Sequence, residues 1–348
     1  MSDPHAFFMK RAIFLAAKGK GKTFPNPCVG AVVVKNGRII GEGWHKKAGL
    51  PHAEINALET CRMAGFNPRG ATLYVTLSPC CHFGKTPPCT SEILRSGISE
   101  VFSACLDPNP LTSHTLRIFK KNGIAHHVGL LEKKALALNV PYVTVKIAMS
   151  LNGKISGQKG RYITCKKSLM EVQKLRAEHD AVLIGAGTVL SDDPHLGVRY
   201  VSGKDPLRVI LDSRLRIPFL STVLRDEHVL IFTTDSADRR KIQQVQKSGA
   251  EIIVSHKKMS LLKILAELYR RGVSNLLVEG GQTIFTAFLK EKLADRVVFF
   301  LAPKIISRGK YFIAEPLPLD FTFLRVEKIG EDIFSELTCT AEPVSRDA

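Results

Sequence analysis

No apolar run in this chain approaches the roughly 18 residues that a membrane span needs. Residues 1–10 carry no apolar stretch behind a basic cluster, so no signal peptide is expected. The short runs Val29–Val34 and Val297–Ala302 read instead as buried strands. Cysteine is scarce, with 8 in 348 residues at irregular spacing. That excludes a disulfide scaffold and points to a reduced, cytoplasmic setting with a metal site. Acidic residues are also outnumbered, 32 against 50 Lys and Arg, which leaves a net charge of +18. Such an excess would suit nucleic acid. Here it is spread along the whole chain, with no Arg-rich tail and no aromatic-interleaved basic motif. It is read as a solvated surface that attracts small anionic substrates, with neither nucleic acid nor membrane as a partner. Internal repeats and low-complexity segments are missing too.

What is present is an ordinary globular composition, 45% hydrophobic and 24% charged, long enough for two domains. Helical periodicity runs over His5–Lys18. Val29–Val34 and Arg38–Trp44 read as strands joined by the hairpin turn Asn36-Gly37. A helix at His52–Met63, strands at Ala71–Leu77 and Glu100–Ala104, and helices from about Thr90 and over Thr112–Asn122 complete an α/β layered unit. Strands and helices then alternate afresh from Tyr142 after Pro141. Strands are expected at Tyr142–Ile147, Ala181–Ile184, Leu207–Leu211, Val229–Thr233, Ile252–Val254, Asn275–Val278 and Val297–Leu301. Helices are expected at Ser168–His179, Ala237–Ser248 and Leu261–Arg271. The boundary is placed at 140/141, giving domains 1–140 and 141–348.

The chemistry concentrates at strand-to-helix junctions. His52-Ala53-Glu54 opens the second helix, Pro79-Cys80 ends a strand, and Cys89 opens the next helix. The order H-x-E, then P-C and a second Cys, is the signature of zinc-dependent base deaminases. One His and two thiolates hold a single zinc ion per chain and leave the fourth tetrahedral position for water. Glu54 reaches that water without binding the metal and serves as general acid and base. Helix N-termini at His52 and Cys89 favour thiolate over thiol. Cys81 and His82 are rival ligands inside the longer Cys80–Cys89 loop. Cys80 and Cys89 are preferred because one directly follows Pro79 and the other follows a Pro-Pro pair that can start a helix. The remaining cysteines read as small buried hydrophobes.

The Ser78–Cys89 stretch, SPCCHFGKTPPC, resembles the motif of the bifunctional deaminase/reductases of riboflavin biosynthesis. So do PNPCVG at Pro25–Gly30, GEGWH at Gly41–His45, and DPNP at Asp107–Pro110. In the second half KIAMSLNGK, Leu175-Arg176-Ala177, GAGTVLSDDPHLGVR and VEGGQT resemble the same family. The resemblance implies a cytidine-deaminase-like three-layer domain followed by a dihydrofolate-reductase-like α/β domain. It implies hydrolytic deamination of a diamino-ribosylaminopyrimidinone phosphate, then NADPH-dependent reduction of the ribose to ribityl. Carried over by position, Asn26 and His45 contact the substrate ring or sugar, and Lys85 and Thr86 its phosphate. In the reductase half, substrate contacts fall on Arg176, Leu196, Arg199 and Glu279. Cofactor contacts fall on Met149, Tyr162, Thr188, Asp192, Ser213 and the turn of Gly281, Gln282, Thr283, Ile284, Phe285, Thr286 and Ala287. Glu279 and Asp192 are also candidates to orient or protonate the reacting sugar. The phosphorylated pyrimidine is the expected partner, with self-association into a homo-oligomer.

Four departures stand out. Asn152 occupies a position where the family usually has Asp, and Tyr162 one where Trp is common. The segment after Asp107–Pro110 lacks the usual Gly-rich stretch, and the interdomain segment near Asn139–Tyr142 is about ten residues short. Three other readings compete: a nucleic-acid base deaminase, a deaminase carrying a degenerate, structural reductase half, and a non-enzymatic metal-binding module, which would leave Glu54 without a role.

Overall fold

A computed structural model describes residues 3–19, 22–23, 26–83, 87–107, 112, 114–157, 160 and 162–339. The chain divides into two compact units. One comprises Met1–Val140, Leu265–Gly272 and Val344–Ala348, and the other Pro141–Ile264 and Val273–Pro343.

The first unit runs α1 (Pro4–Ala17), β1 (Gly30–Lys35), β2 (Arg38–Trp44), α2 (Ala53–Met63), β3 (Thr72–Leu77), α3 (Cys89–Ser96), β4 (Glu100–Cys105), α4 (Thr115–Lys121), β5 (Ala125–Val128) and α5 (Glu132–Leu136). Its sheet has the order β2-β1-β3-β4-β5. The β1–β2 and β1–β3 pairs are antiparallel, and the β3–β4 and β4–β5 pairs parallel. The expected hairpin is there, with Asn36 at φ 51° and Gly37 at φ 72°, the left-handed pair that a two-residue turn matching strand twist requires. Strand β1 is buried along nearly its whole length because helices cover both faces of the sheet. Met9, Ala12 and Ala16 of α1 pack with Val32 and Tyr74 on one face. Ala57 and Leu58 of α2, Ile93 of α3 and Phe119 of α4 pack with Val33, Leu73 and Val101 on the other.

These helices approach closely. Gly41 and Gly43 lie two apart on β2 and so face the same side. A Cβ on Gly41 would stand 2.3 Å from the Ala57 carbonyl oxygen, and one on Gly43 2.4 Å from the Ala57 amide nitrogen. Backbone thus meets backbone, and this contact fixes the height of α2 above the sheet.

The second unit runs β6 (Tyr142–Ser150), α6 (Lys166–Glu178), β7 (Ala181–Gly185), α7 (Ala186–Asp192), β8 (Leu207–Leu211), β9 (Val229–Thr234), α8 (Arg239–Lys247), β10 (Glu251–Ser255), α9 (Leu261–Arg270, which from Leu265 on falls in the first unit), β11 (Asn275–Val278), α10 (Gln282–Lys290), β12 (Arg296–Ala302), β13 (Phe321–Ile329) and β14 (Asp332–Cys339). The sheet order is β10-β9-β8-β7-β11-β6-β12-β14-β13, parallel through β12 and antiparallel in the last two pairings. Val182, Ile184, Ile210, Ile231, Leu277 and Phe300 form its core with Val172 and Leu175 of α6. Such continuous apolar strands suit a parallel sheet buried on both faces.

The expected strands and long helices lie where periodicity put them, within a few residues at their ends. The sequence reading does not contain β5, α5, α7, β13 or β14, and it leaves α10 without an extent. α5 has 5 residues and α7 has 7, too few turns for a periodic stripe to stand out. In β13 the alternation of Phe321–Phe323 changes phase at Leu324, where its register against β14 shifts, so no single period runs through it.

Candidate functional site

In the first unit three ligand-type atoms converge. His52 is the N-cap of α2, Cys89 is the first residue of α3, and Cys80 follows β3. His52 Nδ1 stands 3.2 Å from Cys89 Sγ and 3.6 Å from Cys80 Sγ. The three ligand atoms lie within 4.8 Å of one another, the one such group found among the described residues. A tetrahedral zinc with ordinary Zn–S and Zn–N bonds separates N from S by about 3.6 Å. The donor set and its spacing therefore fit zinc. Cys81 and His82, the rival ligands, are not in the group.

The electrostatics suit the same centre. Cys89 hydrogen-bonds to Cys80, and with His52 it holds the Cys80 thiol down to about 4. The negative Cys80 and burial push Cys89 up, so the two sulfurs share one proton in the metal-free chain. The Cys80 contact also raises the His52 imidazole. Glu54 is 4% exposed. Burial, and then negative charge on Cys80, push its carboxyl up to about 7 despite the opposing His52. Its side chain contacts that of Cys89, so it borders the metal site.

Asn26 and His45 come to the same place. His45 Nδ1 donates to the Pro51 carbonyl at 3.1 Å, which leaves Nε2 to accept from Asn26 Nδ2 at 3.2 Å. Burial lowers the His45 imidazole's affinity for a second proton, and its ring stands edge-on to His52 at 5.4 Å. Lys85 and Thr86 lie outside the described residues.

In the second unit a cleft of about 1450 Å³ opens at the carboxyl ends of β6, β7, β8, β9 and β11. Ligand crevices of open parallel sheets form at such strand ends. It is lined by Tyr162, Arg176, Thr188, Asp192, Leu196, Arg199 and Ser213. Glu279, Gly281, Gln282, Thr283, Ile284, Phe285 and Ala287 line it as well. Two expected cofactor residues are not brought there. Met149 alternates to the opposite side of β6 from the lining residues Lys146 and Ala148. The Thr286 hydroxyl donates to the Gln282 carbonyl at 2.7 Å and accepts from the Ala314 amide at 2.8 Å, a role internal to the fold. Gly281, with φ 58°, caps α10, and a Cβ there would meet Thr188 Oγ1 at 3.0 Å. A helix start without side chains in front of it suits a phosphate.

A charged cluster sits in the wall of this cleft. The Arg176 guanidinium forks onto Glu279 at 2.6 and 2.9 Å, and Lys146 Nζ stands 3.5 Å from the same carboxylate. Burial would push Glu279 up, but Arg176 and Lys146 outweigh it and hold the carboxyl at about 2. Both Arg176 and Glu279 also line the cleft. Arg176 donates in addition to the Gly197 carbonyl at 3.3 Å. Lys146, which the sequence reading did not single out, is pushed down by burial, with Glu279 opposing. Nothing in its motif marks that lysine apart from its neighbours.

Asn152 is explained by its contacts. Its Oδ1 accepts from Ser150 Oγ at 2.8 Å and from the Ile306 amide at 3.1 Å, while Nδ2 donates to the Ile306 carbonyl at 2.9 Å. An Asp cannot make the third bond. The position shapes a turn.

Comparison with known proteins follows this geometry. Residues 2–105 match the cytidine and deoxycytidylate deaminase zinc-binding region, and residues 141–335 match the RibD C-terminal domain. Riboflavin biosynthesis protein RibD of Aquifex aeolicus is 43% identical, covering 94% of this chain and 96% of that protein. Its counterpart in Bacillus amyloliquefaciens is 38% identical, covering 94% of each. The solved RibD of Acinetobacter baumannii is 34% identical over 97% of this chain and 99% of that one, with a TM-score of 0.53. The chain belongs to the RibD family. RibD membership makes the fold a cytidine-deaminase-like three-layer domain followed by a dihydrofolate-reductase-like one, and makes zinc and NADPH the cofactors.

Metal analysis of purified variants tests the ligand set. Cys80→Ser should lose zinc and Cys81→Ser should keep it; the reverse pattern would replace the ligand. Asn152→Asp should lower the melting temperature, by about 1–3 kcal/mol of stability for a lost buried bond, and change NADPH oxidation by less than about tenfold. A natural chain that oxidises no NADPH, beside an active Asn152→Asp, would show a degenerate reductase.

Proposed function

We propose that the chain catalyses two consecutive steps of riboflavin biosynthesis, each in its own domain. Residues 1–140 deaminate 2,5-diamino-6-ribosylamino-4(3H)-pyrimidinone phosphate. Residues 141–348 then reduce the ribose of the product to ribityl. The observation that carries this reading is the convergence of His52 Nδ1, Cys80 Sγ, Cys89 Sγ and buried Glu54, in one chain with the cleft of the second unit.

For deamination, zinc held by His52, Cys80 and Cys89 supplies, when bound, a water acidified toward neutral pH. Glu54 takes a proton as the new C–O bond forms on the pyrimidinone ring. It returns the proton to the amine nitrogen as the C–N bond breaks and ammonia leaves. A carboxyl near pH 7 can do both. Asn26 and His45, tied to each other, orient the ring beside the metal ligands. Lys85 in its Gly-Lys-Thr loop suits the substrate phosphate.

For reduction, NADPH supplies the hydride that the sugar carbon accepts. The Gly280-Gly281 turn with the start of α10, Thr188, Asp192, Ser213 and Tyr162 hold the cofactor. Leu196 and Arg199 meet the substrate. Glu279 keeps Arg176 and Lys146 in place, and Lys146 is the cleft group suited to hold or move the accompanying proton.

The family relationship over nearly the whole chain weighs against a nucleic-acid base deaminase. A cytoplasmic enzyme fits a chain with few cysteines, two of which belong to a zinc ligand set. A homo-oligomer fits edge strand β13, where Phe323, Leu324 and Val326 are 63%, 60% and 57% exposed.

Glu54→Gln should keep its zinc and fold and lose deamination by about 10²–10⁴-fold. Incubation with the diamino substrate, with and without NADPH, reads both products by mass; near-normal turnover of Glu54→Gln would remove the assigned mechanism. Sedimentation of the natural chain should give a multiple of the chain mass, reduced by Leu324→Lys. A monomeric natural chain would refute the oligomer.

A further inference from the structure

The segment from Asp193 to Arg199 brings Leu196 and Arg199 to the cleft in a conformation that its sequence does not favour. Asp193 has φ 37° and Leu196 has φ 59°, left-handed backbone that costs a residue with a side chain, and a branched one most. Leu196 is nonetheless 2% exposed, wedged in place. Something must hold this turn against relaxation.

Several tethers do so. Asp193 accepts from the Thr222 amide at 2.8 Å and its hydroxyl at 2.6 Å. Gln173 accepts from the Arg199 amide at 2.9 Å. The densest contacts come from Arg225. Its Nη1 donates to the His195 carbonyl at 2.7 Å and its Nη2 to Asp205 Oδ2 at 3.1 Å. Asp205 Oδ1 in turn accepts from the Val198 amide at 2.7 Å. A Cβ on Gly197 would stand 2.7 Å from Asp205 Oδ2 and 2.9 Å from Arg225 Nη2, so the pair is seated directly against the turn. Asp226, which also pairs with buried Arg208, flanks Arg225 Nε at 3.4 Å and fixes the guanidinium from behind. Neither Arg225 nor Asp205 is among the residues that line the cleft.

We propose that Arg225 is a positioning residue for the reductase substrate, acting through Asp205 and the His195 carbonyl to hold the strained turn that brings Leu196 and Arg199 to the cleft. This rests on the reading that Leu196 and Arg199 meet the substrate. The role is selective, because cofactor residues Gly281, Thr283 and Ile284 stand on α10 and its cap, and Thr188 and Asp192 belong to helix α7, which Arg225 does not contact.

The test uses the full chain with zinc, the deaminated ribosyl phosphate and NADPH. Arg225→Ala should raise KM for the sugar substrate about tenfold while KM for NADPH stays within about twofold and deamination is unchanged. Asp205→Asn should raise the same KM less. The double variant should be no worse than Arg225→Ala, since both act through one contact. An unchanged KM in Arg225→Ala, an equal rise for NADPH, or additive effects would each overturn the proposal. Should Arg225→Ala not fold, Asp205→Asn decides alone: its exposed carboxylate is safe to change, a raised KM supports the proposal, and an unchanged one overturns it. Arg199→Ala separates the two levels. An unchanged KM there removes the reading that this segment meets the substrate, whereas a raised KM beside an unaffected Arg225→Ala removes only the role of Arg225.

Discussion

The metal centre depends on how closely α2 lies on β2. Two glycines on one side of a strand let the Ala57 backbone come within what would be Cβ distance. This places the start of α2, and with it His52 and Glu54, at the level of the loop after β3. Cys80 comes from that loop and Cys89 from the start of α3, so three separate junctions must agree to within about an ångström for tetrahedral ligation. A layer of ordinary side chains between helix and strand would separate His52 from the sulfurs. The Asn56 side chain reinforces the fit, donating to the carbonyls of Trp44 at 2.9 Å and Pro51 at 3.3 Å. It thereby ties the end of β2 to the loop that carries His45 toward Asn26.

The second unit has a different organising element. The wall of its cleft is fixed by one buried carboxylate. Glu279 follows β11, Arg176 comes from α6 and Lys146 from β6, so the cluster joins three elements far apart in sequence. Because Arg176 also holds the Gly197 carbonyl, the same guanidinium connects the cluster to the turn carrying Leu196. Removing the carboxylate would leave two cations facing each other in a buried wall, and breaking a buried pair in that way is far more costly than never having built it.

Much of the first site was legible because its residues are signalled locally. A His before a helix, a Pro-Cys after a strand and a Cys after Pro-Pro are junction signals as well as chemical ones. The second site was legible only through resemblance, and the structure shows why. Nothing in the sequence joins Arg176 to its carboxylate partner 103 residues away. Lys146 opens the KIAMSLNGK stretch, but its carboxylate partner lies 133 residues away. Thr286 sits in a cofactor-like turn yet spends its hydroxyl on the backbone. The Asn152 departure likewise has no meaning in sequence, whereas the Ile306 backbone that it grips from both sides accounts for an amide there. Edge strand β13 left no single periodic trace, since its alternation changes phase at Leu324, where its register against β14 shifts.

Two buried glutamates show how one chain can run both chemistries. Desolvation acts on each in the same direction, toward the protonated form. For Glu54 the strongest neighbour is negative Cys80, and the carboxyl is pushed up to about 7, where it can give and take a proton. For Glu279 the neighbours are Arg176 and Lys146, and the carboxyl is held at about 2, where it can only anchor charge. The signs carry over to stability. A lowered carboxyl stabilises the fold above its unfolded pKa, and that contribution is lost as the pH falls through the unfolded value toward about 2. The Glu279 cluster is therefore fully formed at neutral pH, when hydride transfer must be held in register. A raised carboxyl works the other way: ionising Glu54 in its metal-free pocket opposes folding as the pH rises past its unfolded value. The deaminase site carries that cost as part of its function, because a relaxed glutamate at its ordinary pKa would be too weak a base to take the water's proton. Burial lifts Glu54 to where it can move a proton, and two neighbouring cations override the same burial at Glu279, which holds a wall.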